Sequence, residues 1–314
     1  MNNPKPLTAR ECAERLMALE RPTVVTHARP DGDAVGSATA LYLVLLSLGK
    51  DARLHIADEL PKRLEFLTEG ICTKGELDGR ELVSIDVAAR VQLGTLSDRE
   101  LTLMIDPHAK STPIADYFTV SEASSAAEVL LEVTEAIPSF VMTEDIARRI
   151  YAAMSSDTGG FIYSNTSPIT MRRAARLMEY GIDHADINHR LFHSKTVDEQ
   201  RAEGLIAAKI KTAFGGRVAY ATLSKAEREE LGLKLLHFDT AVDIVRSTMG
   251  AEIAIFVREN DDGTYRASLR STGADVAEVA AAFGGGGHIR AAGCSPIGRT
   301  VDEALEAILE KIIF

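Results

Sequence analysis

The sequence has few cysteines, and they are poorly placed for cross-linking. Cys12, Cys72 and Cys294 are far apart and odd in number. That excludes a disulfide framework and a cysteine-rich zinc site, and it suits a reducing cytoplasm. Long apolar runs are missing too. The longest, Ala38 to Leu48, stops at Gly49-Lys50, well short of the roughly 20 residues a membrane-spanning helix needs. The N-terminal stretch through Leu16 has no apolar core of a secretory signal, so a cytoplasmic location with no membrane partner is expected. Positive charge is in deficit: 35 Lys and Arg stand against 46 Asp and Glu, a formal net charge of −11. Proteins that grip long duplex nucleic acid normally present a basic face, and this chain as a whole would repel such a polyanion. Small phosphorylated molecules remain admissible, because a metal and a few local cations hold them against a negative global field.

What is present is a globular composition, 46% hydrophobic and 26% charged, in a chain long enough for two domains. Strand and helix signals alternate through the first two-thirds. Residues 22–27, 52–56, 81–86 and 101–106 read as short strands. Val35 to Leu48 reads as a helix ended by Gly49, and helical stretches follow over 123–135 and 143–155. Such alternation predicts an α/β fold with a mostly parallel sheet. Asp186 to Lys211 is helical and strongly charged. Beyond it a second unit is expected, with strands over 217–223, 253–258 and 265–270 and helices over 236–248, 275–283 and 301–313. Asp261-Asp262-Gly263 marks a hairpin between two of those strands. The predicted division is 1–185, a helical connector over 186–212, and a smaller α/β domain over 213–314.

Chemistry-bearing residues concentrate at strand ends. His27-Ala28-Arg29-Pro30-Asp31-Gly32-Asp33 places one imidazole and two carboxylates within seven residues of a strand exit. A loop of this kind aims all three at one point, and mixed His and Asp donors suit Mn²⁺ or Mg²⁺, with Zn²⁺ and Fe²⁺ also open. The same residue types suit an exposed turn. Asp86 and Asp106 each end an apolar strand, and Asp157 follows a helix. Open parallel sheets bind ligands at the carboxyl ends of their strands, so these groups would converge. Taken singly each also reads as a cap or turn residue. Taken together they could hold two cations, which such closely packed negative charges would require. Gly284-Gly285-Gly286-Gly287-His288 costs much backbone entropy and suits close approach of backbone N–H groups to an anion. His189 and His193 have zinc-compatible spacing, but they lie in the connector without the accompanying glutamate and read as a solvated helical face.

In order along nearly the whole chain, these motifs resemble the DHH/DHHA1 phosphoesterases. His27 to Ser37 is similar to the first motif, Asp86 to the second, Asp106-Pro107-His108 to the Asp-His-His that names the family, and Ser156 to Phe161 to the fourth. Ala123 to Glu128 resembles the segment after the third motif. Ser268 to Ser271 and Gly284 to Gly293 resemble the DHHA1 domain. Length and domain pairing resemble the oligoribonuclease and pAp-phosphatase (NrnA-like) branch more than the larger RecJ nucleases. The resemblance implies a cytoplasmic, manganese-dependent hydrolase of short RNA or small nucleotides, with Mg²⁺ as an alternative ion. It implies His27, Asp31 and Asp86 around one cation, and Asp33, Asp86 and Asp157 around a second, with Asp86 bridging. His108 would stand beside the scissile phosphate. Arg270, Ser271, Gly285, Gly286 and His288 would bind the rest of the substrate. A homodimer is admitted.

One departure stands out. Pro107 occupies the position of the family's first His, a ligand of the second cation, and proline has no side-chain donor. Lys110-Ser111 departs from the usual pair at its place too. Three readings follow: a hydrolase of short oligoribonucleotides and 3′-phosphoadenosine 5′-phosphate, a phosphodiesterase of the c-di-AMP pathway acting on it or on pApA, and a nucleotide-binding protein with weak or no activity.

Overall fold

The computed structural model describes residues 4–108, 111–138, 140–238 and 240–313. It divides into two compact units, Met1–Ser194 and Lys195–Phe314. The division falls inside the stretch read as a connector. Helix α6 (His184–Asn188) and the π-helical turn His189–His193 belong to the first unit, and α7 (Val197–Lys209) to the second.

The first unit is built on a five-stranded parallel sheet. Its strands are β1 (Pro22–Val25), β2 (Arg53–His55), β3 (Glu81–Ile85), β4 (Leu103–Asp106) and β5 (Asp116–Thr119), in the order β2-β1-β3-β4-β5. Val24, Val25, Val83 and Ile85 are fully buried, as expected of parallel strands covered on both faces. The order runs outward in both directions from β1 and β3. That leaves the exits of the central strands side by side, where open α/β sheets place their ligands.

The helices of this unit are α1 (Ala9–Ala18), α2 (Gly32–Ser47), α3 (Ala126–Glu135), α4 (Glu144–Asp157) and α5 (Pro168–Met178). α2 is buried along most of its length, so it is a central helix rather than an amphipathic surface one. It starts at Gly32, earlier than the sequence pattern suggested, because the Asp31 carboxylate accepts the Ala34 N–H at 3.0 Å and caps it. The segment after β1 is therefore a loop only as far as Asp31. α4 packs along α2, and Arg149 is buried between elements, donating to the Leu67 carbonyl at 2.9 Å.

The second unit holds a mixed six-stranded sheet, in the order β10-β11-β9-β8-β7-β6. Its strands are β6 (Lys211–Ala213), β7 (Val218–Leu223), β8 (Ile253–Glu259), β9 (Tyr265–Ser271), β10 (Gly286–His288) and β11 (Ala291–Cys294). The expected hairpin joins β8 to β9, with Gly263 at φ 79° and the Asn260 N–H donating to the Thr264 carbonyl. Helices α8 (Lys225–Glu230), α9 (Ala241–Arg246), α10 (Val276–Ala281) and α11 (Val301–Leu309) complete it. The glycine run of residues 284–287 is in part an edge strand. Gly286 to His288 pairs antiparallel with β11, and a Cβ at Gly287 would stand 2.4 Å from the Ala291 carbonyl oxygen. Absence of a side chain lets this tight hairpin close.

Candidate metal centre

Backbone geometry brings the candidate groups to one edge of the first sheet. The Thr26 hydroxyl donates to the Ile85 carbonyl at 2.9 Å, which ties the exit of β1 to that of β3. His27 and Asp86 follow directly. Asp86 has φ 59°, and its N–H donates to the Ile105 carbonyl of β4 at 3.0 Å. Arg29 (φ 53°) and Phe161 (φ 66°) share this left-handed conformation on neighbouring segments. Non-glycine residues held this way cost on the order of 1–3 kcal/mol each and cluster at functional sites. The N-terminus of α2 meets the C-terminus of α4 because glycine faces the contact. A Cβ on Gly32 would lie 2.2 Å from the Ser156 hydroxyl, and one on Gly36 would lie 2.9 Å from the Arg149 carbonyl oxygen. Asp31 and Asp33 are thereby set beside Asp157.

Among the described residues two groups of potential ligand atoms result, each with its atoms within 4.8 Å of one another: His27, Asp31 and Asp86, and Asp86, Asp106 and His108. Asp86 is common to both. The His27 Nδ1–H donates to the Ala28 carbonyl at 2.9 Å, and Nε2 faces Asp86 Oδ2 at 3.5 Å, the nitrogen left for a cation once its proton departs. His108 Nδ1 lies 2.8 Å from Asp106 Oδ1 and 3.9 Å from Asp86 Oδ1, and its backbone N–H donates to Asp106 Oδ2. Asp106, one of the strand-end groups expected to converge though outside the two ligand sets the resemblance implied, stands one residue beyond the paired Ile85 and Ile105, level with Asp86 on the next strand.

Asp33 behaves differently from the expectation of a simple ligand. It is 2% exposed, and its Oδ2 accepts the Ala126 N–H at 2.6 Å. Its Oδ1 accepts the Ala127 N–H at 3.2 Å and the Ser37 hydroxyl at 2.8 Å. It thus anchors the positive end of α3 while bordering the cluster. Neither Asp33 nor Asp157 completes a three-ligand group at the 4.8 Å spacing among the described residues.

Electrostatics tie all of them together. Burial raises the Asp33 carboxyl well above its ordinary value, and the charges of Asp86, Asp157 and Asp31 add to it, against the Ala126 hydrogen bond. Burial and Asp31 likewise raise Asp86, although His27 opposes them. Asp157 keeps contact with solvent, yet the protein around it removes enough water, with Asp31 and Asp86 adding repulsion, to push it to about 8. Burial works against a charged His27. The hydrogen bond to Asp86 and the charges of Asp31 and Asp86 outweigh it and lift the imidazole to about 9. The hydrogen bond to Asp106 leads in raising His108. Carboxylates held together at this cost, with imidazole among them, are what a divalent cation neutralises. The donor set is oxygen and nitrogen only, with no cysteine in either group, and it fits Mn²⁺ or Mg²⁺ chemistry.

The remaining expected residues lie in the second unit. Arg270 is on β9, half-buried, with its Nε 3.9 Å from Asp243 and one terminal nitrogen donating to the Leu269 carbonyl. Ser271 is 3% exposed, and its hydroxyl donates to the Ala274 carbonyl at 2.5 Å, so that hydrogen is committed within the fold. Gly285 packs on the hairpin, where a Cβ would stand 2.2 Å from the Gly293 carbonyl oxygen, and Gly286 opens β10. The side chain of His288 and residue Lys110 lie outside the described part of the structure.

Comparison with known proteins gives matches over both units. The model of the DHH family N-terminal domain matches residues 22–154, and that of the DHHA1 domain residues 215–313. The chain is 31% identical over 307 residues to the bifunctional oligoribonuclease and PAP phosphatase NrnA of Thermus thermophilus, covering 96% of this chain and 92% of that one. Its counterpart of the same name in Bacillus subtilis is 26% identical, with 86% and 87% covered. Among solved structures, an exopolyphosphatase-related protein from Bacteroides fragilis superimposes with a TM-score of 0.88 at 24% identity, covering 96% and 95% of the two chains. RecJ from Thermus thermophilus, solved with Mn²⁺, gives 0.57 at 14% identity, covering 96% of this chain and 54% of that one, and shares the fold.

Proposed function

This chain belongs to the DHH/DHHA1 family and is a phosphoesterase, and from that premise we propose that it uses two divalent cations, Mn²⁺ first, to hydrolyse short oligoribonucleotides and 3′-phosphoadenosine 5′-phosphate in the cytoplasm. The observation that carries the reading is the sharing of Asp86 by the two ligand groups. His27, Asp31 and Asp86 would hold the first cation. His27 is suited to this because its Nδ1 is spent on the Ala28 carbonyl and its Nε2 faces Asp86, an outer hydrogen bond of the kind that orients metal-bound imidazoles. Asp86 would also serve a second cation, with Asp33 and Asp157 at its border.

The bound cations supply positive charge that stabilises the phosphoryl transition state and makes water a nucleophile near neutral pH. The protein's residues do the placing. Strand pairing fixes Asp86 and Asp106 side by side, and Asp106 orients His108. Pro107 contributes no donor, and His108, 3.9 Å from Asp86, would support a second cation from the adjoining position. The closeness of His108 to Asp86 favours a working second site over a merely nucleotide-binding protein. In the second unit, Arg270 and the Gly285-Gly286 backbone bind the remainder of the substrate. The names of the relatives, oligoribonuclease and PAP phosphatase, support the substrate class, as does the −11 charge, which disfavours long duplexes.

The test is turnover of a two-nucleotide RNA, 3′-phosphoadenosine 5′-phosphate and linear di-adenylate with Mn²⁺, using Asp86→Ala as control. Release of mononucleotide or phosphate from the first two, abolished in the control, is the expected result. Turnover of linear di-adenylate alone would replace the substrate class, and binding without turnover of any would replace the activity.

A further inference from the structure

The side of the cluster bordered by Asp33 and Asp157 is assembled from two helices that approach it from opposite directions. Asp33 reaches it through α2 and fastens to the first N–H groups of α3, those of Ala126 and Ala127. Asp157 is the last residue of α4. The peptide just before α3 belongs to Ser124. Its N–H donates to Glu128 at 2.7 Å, and that buried carboxylate also takes Arg173 at 3.0 Å and the Thr170 hydroxyl at 3.1 Å. The entry to α3 is therefore fixed from the inside.

Across the gap, the carboxamide of Asn165 donates through Nδ2 to two carbonyl oxygens, that of Ser124 at 3.1 Å and that of Asp157 at 3.2 Å. One side chain thus links the entry of α3, which carries the Asp33 carboxylate, to the exit of α4, which carries Asp157. Both carbonyls need an outside donor, because the last turn of a helix and the residue before an N-cap have no intrahelical partner. Asn165 itself is held in a tight loop. The Ile162 and Tyr163 N–H groups both return to the Thr158 carbonyl, the Thr166 N–H returns to that of Tyr163, and the Tyr163 ring lies against Gly159.

The geometry points to Asn165 as a positioning residue that sets the span between Asp33 and Asp157, and so the affinity of the second cation position. This rests on the reading of those two carboxylates as bordering that position. The Asn165 carboxamide is bound to backbone carbonyls, not to the Asp33 or Asp157 carboxylates. It acts through the two backbones, and it is exposed, so its loss leaves the core untouched.

The experiment is Mn²⁺ titration of the full chain, followed by the electron paramagnetic resonance signal of free Mn²⁺, for the wild type, Asn165→Ala, the near-isosteric Asn165→Leu and Asp86→Ala. Melting of the metal-free proteins is measured in parallel. Loss of outer-shell partners typically weakens metal binding about 10–100-fold. The expected result is a weakening of at least about tenfold at the second equivalent in both Asn165 variants. The first equivalent and the metal-free melting temperature should be unchanged, and turnover should recover at high Mn²⁺. Unchanged affinity for both equivalents would overturn the assignment. So would a lowered melting temperature with equal weakening at both positions, since that marks a purely structural cap. A wild type that binds no Mn²⁺, or an Asp86→Ala variant that keeps two equivalents, would overturn the metal reading itself and this inference with it.

Discussion

Gly32 of α2 and Ser156 of α4 are packed so closely that a methyl group on the glycine would stand 2.2 Å from the serine hydroxyl. The contact brings the start of one helix to the end of another, and with them Asp31 and Asp33 to Asp157. Gly32→Ala must push the helices apart. Overpacking of this kind costs about 1–3 kcal/mol, and loss of that size in urea unfolding is expected together with reduced turnover. Ser156→Gly in the same chain should restore most of both. Additive losses in the double variant would show that the two residues do not meet.

Asp86→Ala should remove both equivalents of Mn²⁺, since Asp86 stands in both ligand groups. His27→Ala should weaken only the first. Elemental analysis after gel filtration distinguishes them. Two equivalents retained without Asp86 would contradict its bridging place.

Pro107→His restores an imidazole where the family has one. Because His108 already stands 3.9 Å from Asp86, the gain in Mn²⁺ affinity should be at most a few-fold by calorimetry, about 1 kcal/mol or less. His108→Ala should cost much more, at least about tenfold at the second equivalent. A large gain from Pro107→His would mean that His108 does not compensate.

Cation binding should release protons and weaken as the pH falls. Without a cation, Asp157 at about 8 and His27 at about 9 both carry protons at pH 7, and a ligand must give its proton up. Both values lie above neutrality, so affinity should rise with pH from 6 through about 9. Calorimetry at pH 7 in buffers of different ionisation enthalpy reads the release directly. Binding heats independent of buffer would refute it.

Much of the fold was legible because parallel strands buried on both faces are plain apolar runs. β1, β3 and β4 lie inside the stretches that read as strands. β5 was not legible: it is a short edge strand in which only Phe118 is buried, so burial left little imprint. α1 and α5 carried signals that could have found them, a Thr8–Glu11 capping box and Ser167-Pro168 opening a helix. At the site, the convergence of His27, Asp31 and Asp86 was legible in their places just after strands, His27 and Asp31 in one short polar loop. The anchoring of Asp33 on α3 was not, because nothing local joins residue 33 to residue 126. The glycine run signalled close backbone approach, and the approach seen is to its own hairpin partner.

Asp86 and Asp106 leave neighbouring parallel strands at matched positions, and adjacent strands lie roughly 4.7–4.9 Å apart. The sheet therefore acts as a ruler for these two carboxylates, graduated by backbone hydrogen bonds rather than by side-chain packing. Such a ruler is indifferent to what happens in surface loops. Changes elsewhere in the chain that leave the pairing of β3 with β4 intact therefore leave the spacing of Asp86 and Asp106 unchanged.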